Sequence, residues 1–393
     1  MNELSEGESP GTFVGNAGEP IRFAKISVPD GICAETAQSG QKVRVWHRHG
    51  MTSDDPLFHR VASEFHSLIG QMARENGTAV NIERANVLLF VMKADQSAEL
   101  WLDTAAMMVQ AVVKRSLGYG HVIFENDIAD ITALSFPAVN IGSEDRVICI
   151  FRESWRFAMA FDFNPERNLD LAAFFKTLGT LHRAIRYREI YEVMENGPLF
   201  ERLLKAGWFP FVEILGREVT HISDFAKDGL DLSDAEDQLV AAFDQSRLDR
   251  IYERWITKPH FASRAALLKS GLSAFARKDP IPCIKTLLTE IEGILNDAYR
   301  AAHNGRGAKT KELLRFAIET ATVRAGMPDT LMFPAAFARY LEEHTFANFD
   351  PVANTGSAGS RHAVGHGAAA VETYTMIRAL QTILALDQLM FYT

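Results

Sequence analysis

The chain has 393 residues, 47% of them hydrophobic and 23% charged, with a formal net charge of −9. That balance belongs to a globular chain of two or three domains and excludes one that is largely disordered. No apolar run reaches the roughly 18 residues of a spanning helix, and MNELSEGESPGTFVGNAGEP lacks the basic start and apolar stretch of a secretory signal, so a cytosolic (cytoplasmic) protein without a membrane segment is expected. Cys33, Cys149 and Cys283 are far apart and form no CxxC pair, which excludes a zinc ribbon or thioredoxin-like site and fits reduced thiols. Charge is uneven. From Lys258 to the end there are 15 Lys and Arg against 12 Asp and Glu, while the remainder holds 26 against 38. A mildly basic end on an acidic chain hints at an anionic ligand there, but no basic stripe or arm of a DNA-binding protein is present.

In chain order, residues 1–20 read as a flexible tail. IRFAKISV alternates like a strand. DDPLFHRVASEFHSLIGQMAREN places Phe58, Val61, Phe65, Leu68 and Met72 at helical spacing and stops at Asn76-Gly77. NVLLFVMKAD and SAELWLD read as paired strands, TAAMMVQAVVKRS as a helix and HVIFE as a further strand. In DRVICIFRESWRFAMAFDF, Val147, Cys149 and Phe151 alternate, then Trp155, Phe157, Met159 and Phe161, with Arg-Glu-Ser turning between them: a hairpin. LDLAAFFKTLGTLHRAIRYREIYEVM then reads as one long helix over a sheet face. Residues 21–195 are therefore expected to form an α+β domain with a mixed sheet, acting as a sensor or regulatory partner module.

After Asn196-Gly197-Pro198 the strand signals end. Residues 196–257 read as a helical connector and 258–393 as an all-helical bundle. IPCIKTLLTEIEGILNDAYRAA puts Ile284, Leu287, Leu288, Ile291, Leu295 and Ala298 on one face; KTKELLRFAIETATVRAG ends at Gly326; PAAFARYLEEHTF starts on Pro334; AAAVETYTMIRALQTILALDQLMFY is the last helix. The fold class is thus α+β: an N-terminal sheet domain followed by a C-terminal helical bundle.

The main chemical candidate is the loop before the last helix, NTGSAGSRHAVGHG. Gly356, Gly359, Gly365 and Gly367 let its backbone turn or approach a ligand. Arg361, His362 and His366 stand at the start of a helix, where free N–H groups and partial positive charge favour anions. Arginine holds phosphate bidentately, and histidine moves protons near neutral pH. Together they suit metal-independent cleavage of an RNA phosphodiester. Six Arg residues are followed by His after four or five intervening residues, but only Arg361 is also followed directly by a His, Asn or Asp and sits in a Gly-rich loop. Asp387 lies in the apolar stripe Ile377, Leu380, Leu384, Phe391, and Glu292 borders the stripe of its own helix; either carboxylate is a candidate partner for Arg361.

On these residues the segment 258–393 resembles a HEPN domain (higher eukaryotes and prokaryotes nucleotide-binding), an all-helical family whose signature is Arg, then Asn, Asp or His, then three to five residues and His. Arg361-His362-Ala363-Val364-Gly365-His366 is similar to it at each position, and TEIEGILNDA and RALQTILALDQL are similar to segments of bacterial proteins that join this module to a variable front half. The resemblance implies a homodimer whose two copies line one cleft with Arg361, His362 and His366, and a metal-independent endoribonuclease (a hydrolase that cuts RNA), often in toxin or phage-defence settings. No cofactor and no metal is implied. It equally accommodates an inactive dimerisation or nucleotide- and RNA-binding scaffold.

Other motifs carry less. His47 and His49, with His59, His66, Asp54 and Asp55 nearby, could ligate a metal if a third ligand converged, or could be exposed histidines. GRGAKTK lacks the spacing of a phosphate loop and reads as a basic turn. Glu125, Asp127 and Asp130 read as a turn rather than an acidic cluster. Trp155, Phe157, Phe161 and Phe163 read as a buried sheet face more than base-stacking rings. Trp208-Phe209-Pro210-Phe211 reads as a core plug, and Cys149 and Cys283 as inert.

Overall fold

A computed structural model describes residues 16–325, 329–348 and 356–393. Most of the predicted tail, Gly326 as a helix end, and Asn354-Thr355 of the glycine-rich loop lie outside the described residues. The chain divides into two compact units: residues 1–110 with 131–188, and residues 111–130 with 189–393.

The first unit is built on a six-stranded sheet whose pairings are all antiparallel rather than mixed. In chain order its elements are β1 (Ile21–Phe23), β2 (Ile32–Cys33), β3 (Val45–Trp46), β4 (Arg48–Thr52), α1 (Phe58–Glu75), β5 (Val87–Met92) and β6 (Ala98–Leu102). β7 (Met108–Val113) and β8 (Ile128–Ser135) then carry the chain out and back as a two-stranded ribbon, followed by β9 (Arg146–Glu153), β10 (Arg156–Asp162) and α2 (Leu171–Arg186). The strand order is β1-β6-β5-β9-β10-β4. Period-2 alternation sends Leu88, Phe90, Ile148, Ile150, Met159 and Phe161 to one face, where Phe58, Phe65, Ile69 and Met72 of α1 cover them. Leu89, Val91, Val147, Cys149, Ala158 and Ala160 face the other way, onto Phe174, Leu178, Leu181 and Ile185 of α2. With both faces buried, the strands read as near-continuous apolar runs. Each fully buried Phe or Leu contributes about 1.5–3 kcal/mol of transfer free energy. Gly179 lets α2 approach β8 closely, since a Cβ there would stand 2.4 Å from the Ala133 backbone.

The second unit is helical: α3 (Arg188–Glu195), α4 (Gly197–Lys205), α5 (Arg217–Lys227), α6 (Ser233–Ala242), α7 (Gln245–Trp255), α8 (Pro259–Ala262), α9 (Ala265–Ala276), α10 (Pro280–Ala302), α11 (Thr310–Ala325), α12 (Pro334–Tyr340), α13 (Arg361–Gly365) and α14 (Met376–Tyr392). α14 is buried on every side over most of its length, and α6, α7, α9, α10 and α11 pack against it. The stripe predicted for α10, from Ile284 to Ala298, is buried. The segment read as a connector belongs to this unit, where Trp208, Phe209 and Phe211 are buried. Among the described residues, no helix is long and apolar enough to cross a membrane.

Five local expectations are corrected. Residues 108–113, read as part of a helix, are strand β7, whose β-branched Val109, Val112 and Val113 suit the ribbon with β8 better than a helix face. HVIFE is no strand: Val122, Ile123 and Phe124 are exposed and only a 3-10 turn, Glu125–Asp127, follows. The long helix after residue 170 breaks at Tyr187 between α2 and α3. The last helix begins at Met376, capped by the Thr375 hydroxyl, because residues 368–375 form a bridge and a 3-10 turn instead. Trp155, counted with the alternating strand, is in the two-residue hairpin turn and 70% exposed, so it leaves the core to Phe161 and Phe163.

Candidate functional site

Arg361 opens α13, a single turn. Ser360 caps it: its hydroxyl accepts from Ala363 N and donates to Ala347 O at 2.6 Å. Gly367, at φ +70°, ends it, and Ala368 N returns to Ala363 O at 2.8 Å. Of the four glycines in the loop only Gly367 adopts a left-handed backbone, so the turn itself explains that one. A parallel bridge between Gly356 and Ala369, with Ala370 N donating to Gly356 O, ties the loop's ends together.

The sequence-predicted residues do not all meet. Glu292, from α10, forms an ion pair with the Arg361 guanidinium, without an aligned hydrogen bond. The Arg361 side chain keeps 31% of its surface and so remains reachable from solvent. His362 and His366, four apart, lie along one face of the turn; His362 is half-buried and His366 exposed. Asp387 is the correction. It is fully buried in α14, and its Oδ1 accepts from Arg254 Nε at 3.0 Å, Arg254 Nη2 at 2.7 Å and Trp255 Nε1 at 2.9 Å. It orients Arg254, not Arg361. Burial pushes its carboxyl above the usual range, against the pull of Arg254.

That pairing is part of a network the sequence reading missed. Arg254 also donates to Glu213 Oε2 at 2.7 Å and to the carbonyl of Lys114 at 2.8 Å. Arg247 donates to Glu213 at 2.8 Å and holds both oxygens of Glu218, at 2.7 and 2.9 Å. Burial alone would raise the Glu213 carboxyl, but Arg254, Arg247 and Lys114 outweigh it and hold it below the ordinary value. The available signal was the spacing of Arg247, Arg250 and Arg254, which share one face of α7.

The rival motifs disperse. His47 Nδ1 lies 2.6 Å from Asp30 O, and His49 stacks on Trp46. Asp54 pairs with Arg188, and Asp55 accepts from Leu57 N. Asp127 is held by Arg115, whereas Asp130 is buried and accepts from the Thr330 hydroxyl. Among the described residues, no three His, Cys, Asp or Glu side chains converge on a possible metal position. Burial raises the thiols of Cys149 and Cys283, the latter to about 12, so neither is a ready nucleophile. No family model, curated protein or solved structure matches this chain.

Proposed function

We propose that the second unit is a HEPN-like module that cuts RNA without a metal, at a site formed by Arg361, His362 and His366 from two copies of the chain. One observation carries this reading: Glu292 pairs with Arg361 from a neighbouring helix while about a third of the Arg361 side chain stays exposed, beside two histidines on one face of the same turn. A histidine takes the proton of a ribose 2′-OH. The 2′-oxygen bonds to phosphorus, and Arg361 stabilises the charge on the phosphate oxygens. The bond to the 5′-oxygen breaks as a second histidine protonates that leaving group, giving a 2′,3′-cyclic phosphate and a 5′-OH end. His366, the more exposed of the two, suits proton transfer to bound RNA.

The test is incubation of the full chain with RNA in EDTA. Cleavage is expected, and Arg361→Ala and His366→Ala are each expected to lower it by about 100-fold or more. Cleavage untouched by either change would overturn the reading. A second reading, a non-catalytic dimerising or RNA-binding scaffold, draws on the same Glu292 contact, which neutralises the guanidinium. It predicts no product, with the two changes altering only assembly or RNA affinity.

A further inference from the structure

A cavity of about 940 Å³ in the second unit shares no lining residue with the Arg361 turn. Its volume is that of a small-molecule site, for which roughly 300–1,000 Å³ is typical. The Arg254 network lines one side. Beside it Lys114 is only 6% exposed, yet among the described residues its ammonium has neither a hydrogen bond nor an ion pair. A buried cation with no partner is costly unless something else supplies the counter-charge. Glu213 and Asp387 attract it from a distance, but both oxygens of Glu213 and Oδ1 of Asp387 are taken by arginines. Burial, only partly opposed by Glu213, pushes the ammonium down to about 8, so it is still charged at neutral pH.

The rest of the lining continues the pattern. Arg217 and Arg250 are exposed and, among the described residues, pair with no carboxylate. Of the five lining carboxylates, Glu213, Glu218 and Asp127 are held by arginines, Asp244 is occupied in capping α7, where it accepts from Arg247 N at 2.8 Å, and the exposed Glu125 alone is left without a cation among the described residues, against Lys114, Arg217 and Arg250. Gly216, at φ +103°, begins the eleven-residue helix α5, and this N-terminal turn lines the cavity with its partial positive charge. The Phe124 ring, 66% exposed, also lines it.

We propose that this cavity binds a phosphorylated small molecule that carries a flat ring, with the phosphate on Lys114, Arg217 and Arg250 and the ring against Phe124. Three unpaired cations and a helix N-terminus suit a phosphate dianion, and an exposed aromatic face suits a planar group. The site is independent of RNA cleavage at Arg361.

The experiment is calorimetric titration of the full chain with AMP, inorganic phosphate, adenosine and citrate. AMP is expected to bind at least about tenfold more tightly than phosphate and to exceed adenosine and citrate by more. Lys114→Met is expected to weaken AMP about tenfold or more while raising the melting temperature of the unliganded protein, because it removes an unpaired buried charge. Arg250→Gln, a surface change, is expected to weaken AMP and phosphate alike, and Phe124→Ala to remove the advantage of AMP over phosphate. No binding of AMP or phosphate up to about 5 mM, citrate binding more tightly than phosphate, or unchanged AMP affinity in the folded Lys114→Met and Arg250→Gln proteins would overturn the proposal.

Discussion

A guanidinium that is to grip a phosphate needs a counter-charge that aims it without sealing it off. Glu292 meets that need for Arg361, since the pair is partly solvated and an incoming phosphate can compete for the same donors. Glu292 is therefore a positioning residue, and its loss should act on the chemical step. In the RNA-cleavage assay, Glu292→Ala is expected to lower kcat about tenfold with KM changed less than about threefold, and Glu292→Asp to recover part of kcat. Equal loss in kcat and in folding stability, with no recovery by Asp, would make the contact merely structural. Glu292 was visible in the sequence because it borders the apolar stripe of a strongly periodic helix. The partner of Asp387 was not. Burial of that carboxylate could be read from its place among Ile377, Leu380, Leu384 and Phe391, but Arg254 stands 133 residues away, and only the packing of α7 against α14 selects it over Arg361.

At the scale of elements, legibility follows how much of a pattern is local. The hairpin β9–β10, helix α1 and the α10 stripe were readable because one period runs through each and burial agrees with it. The ribbon β7–β8 was not, since Ala and Met favour a helix locally and the pairing that overrides them comes from residues 15 and more positions on. α2 shows what burying such a face costs when one position is polar. His182 is only 5% exposed, its Nδ1 has no partner among the described residues, and burial, aided by Arg186, pushes the ring down to about 4. The unfolded chain binds this proton near pH 6.5 while the folded protein refuses it until about 4. Stability is thus undiminished above 6.5 and is lost progressively as pH falls from there to about 4. Denaturant melts at pH 7 and pH 4 are expected to differ by about 2–3 kcal/mol less in His182→Leu than in the unaltered protein. Parallel losses in both proteins would mean that the ring takes its proton in the folded state.

For the whole molecule the decisive property is copy number. A single copy of α13 with its C-cap residue His366 supplies one guanidinium and two imidazoles, whereas in-line displacement needs a base and an acid on opposite sides of the phosphate. His362 and His366 share one face of that turn and cannot flank a phosphate from both sides, so the proposed chemistry calls for the turn of a second copy. This makes a prediction that a monomeric site cannot meet. Arg361→Ala and His366→Ala proteins, each slowed about 100-fold or more alone, should regain activity when mixed under conditions that let subunits exchange, because a mixed dimer keeps one Arg361 and one His366 in the shared cleft. Recovery of roughly a tenth or more of the unaltered rate, rising with the mixed fraction counted by native mass spectrometry, is the expected result. Mixed dimers that form and stay inactive would place both residues in the same copy's site, and a chain that remains monomeric at assay concentration would remove the shared cleft altogether.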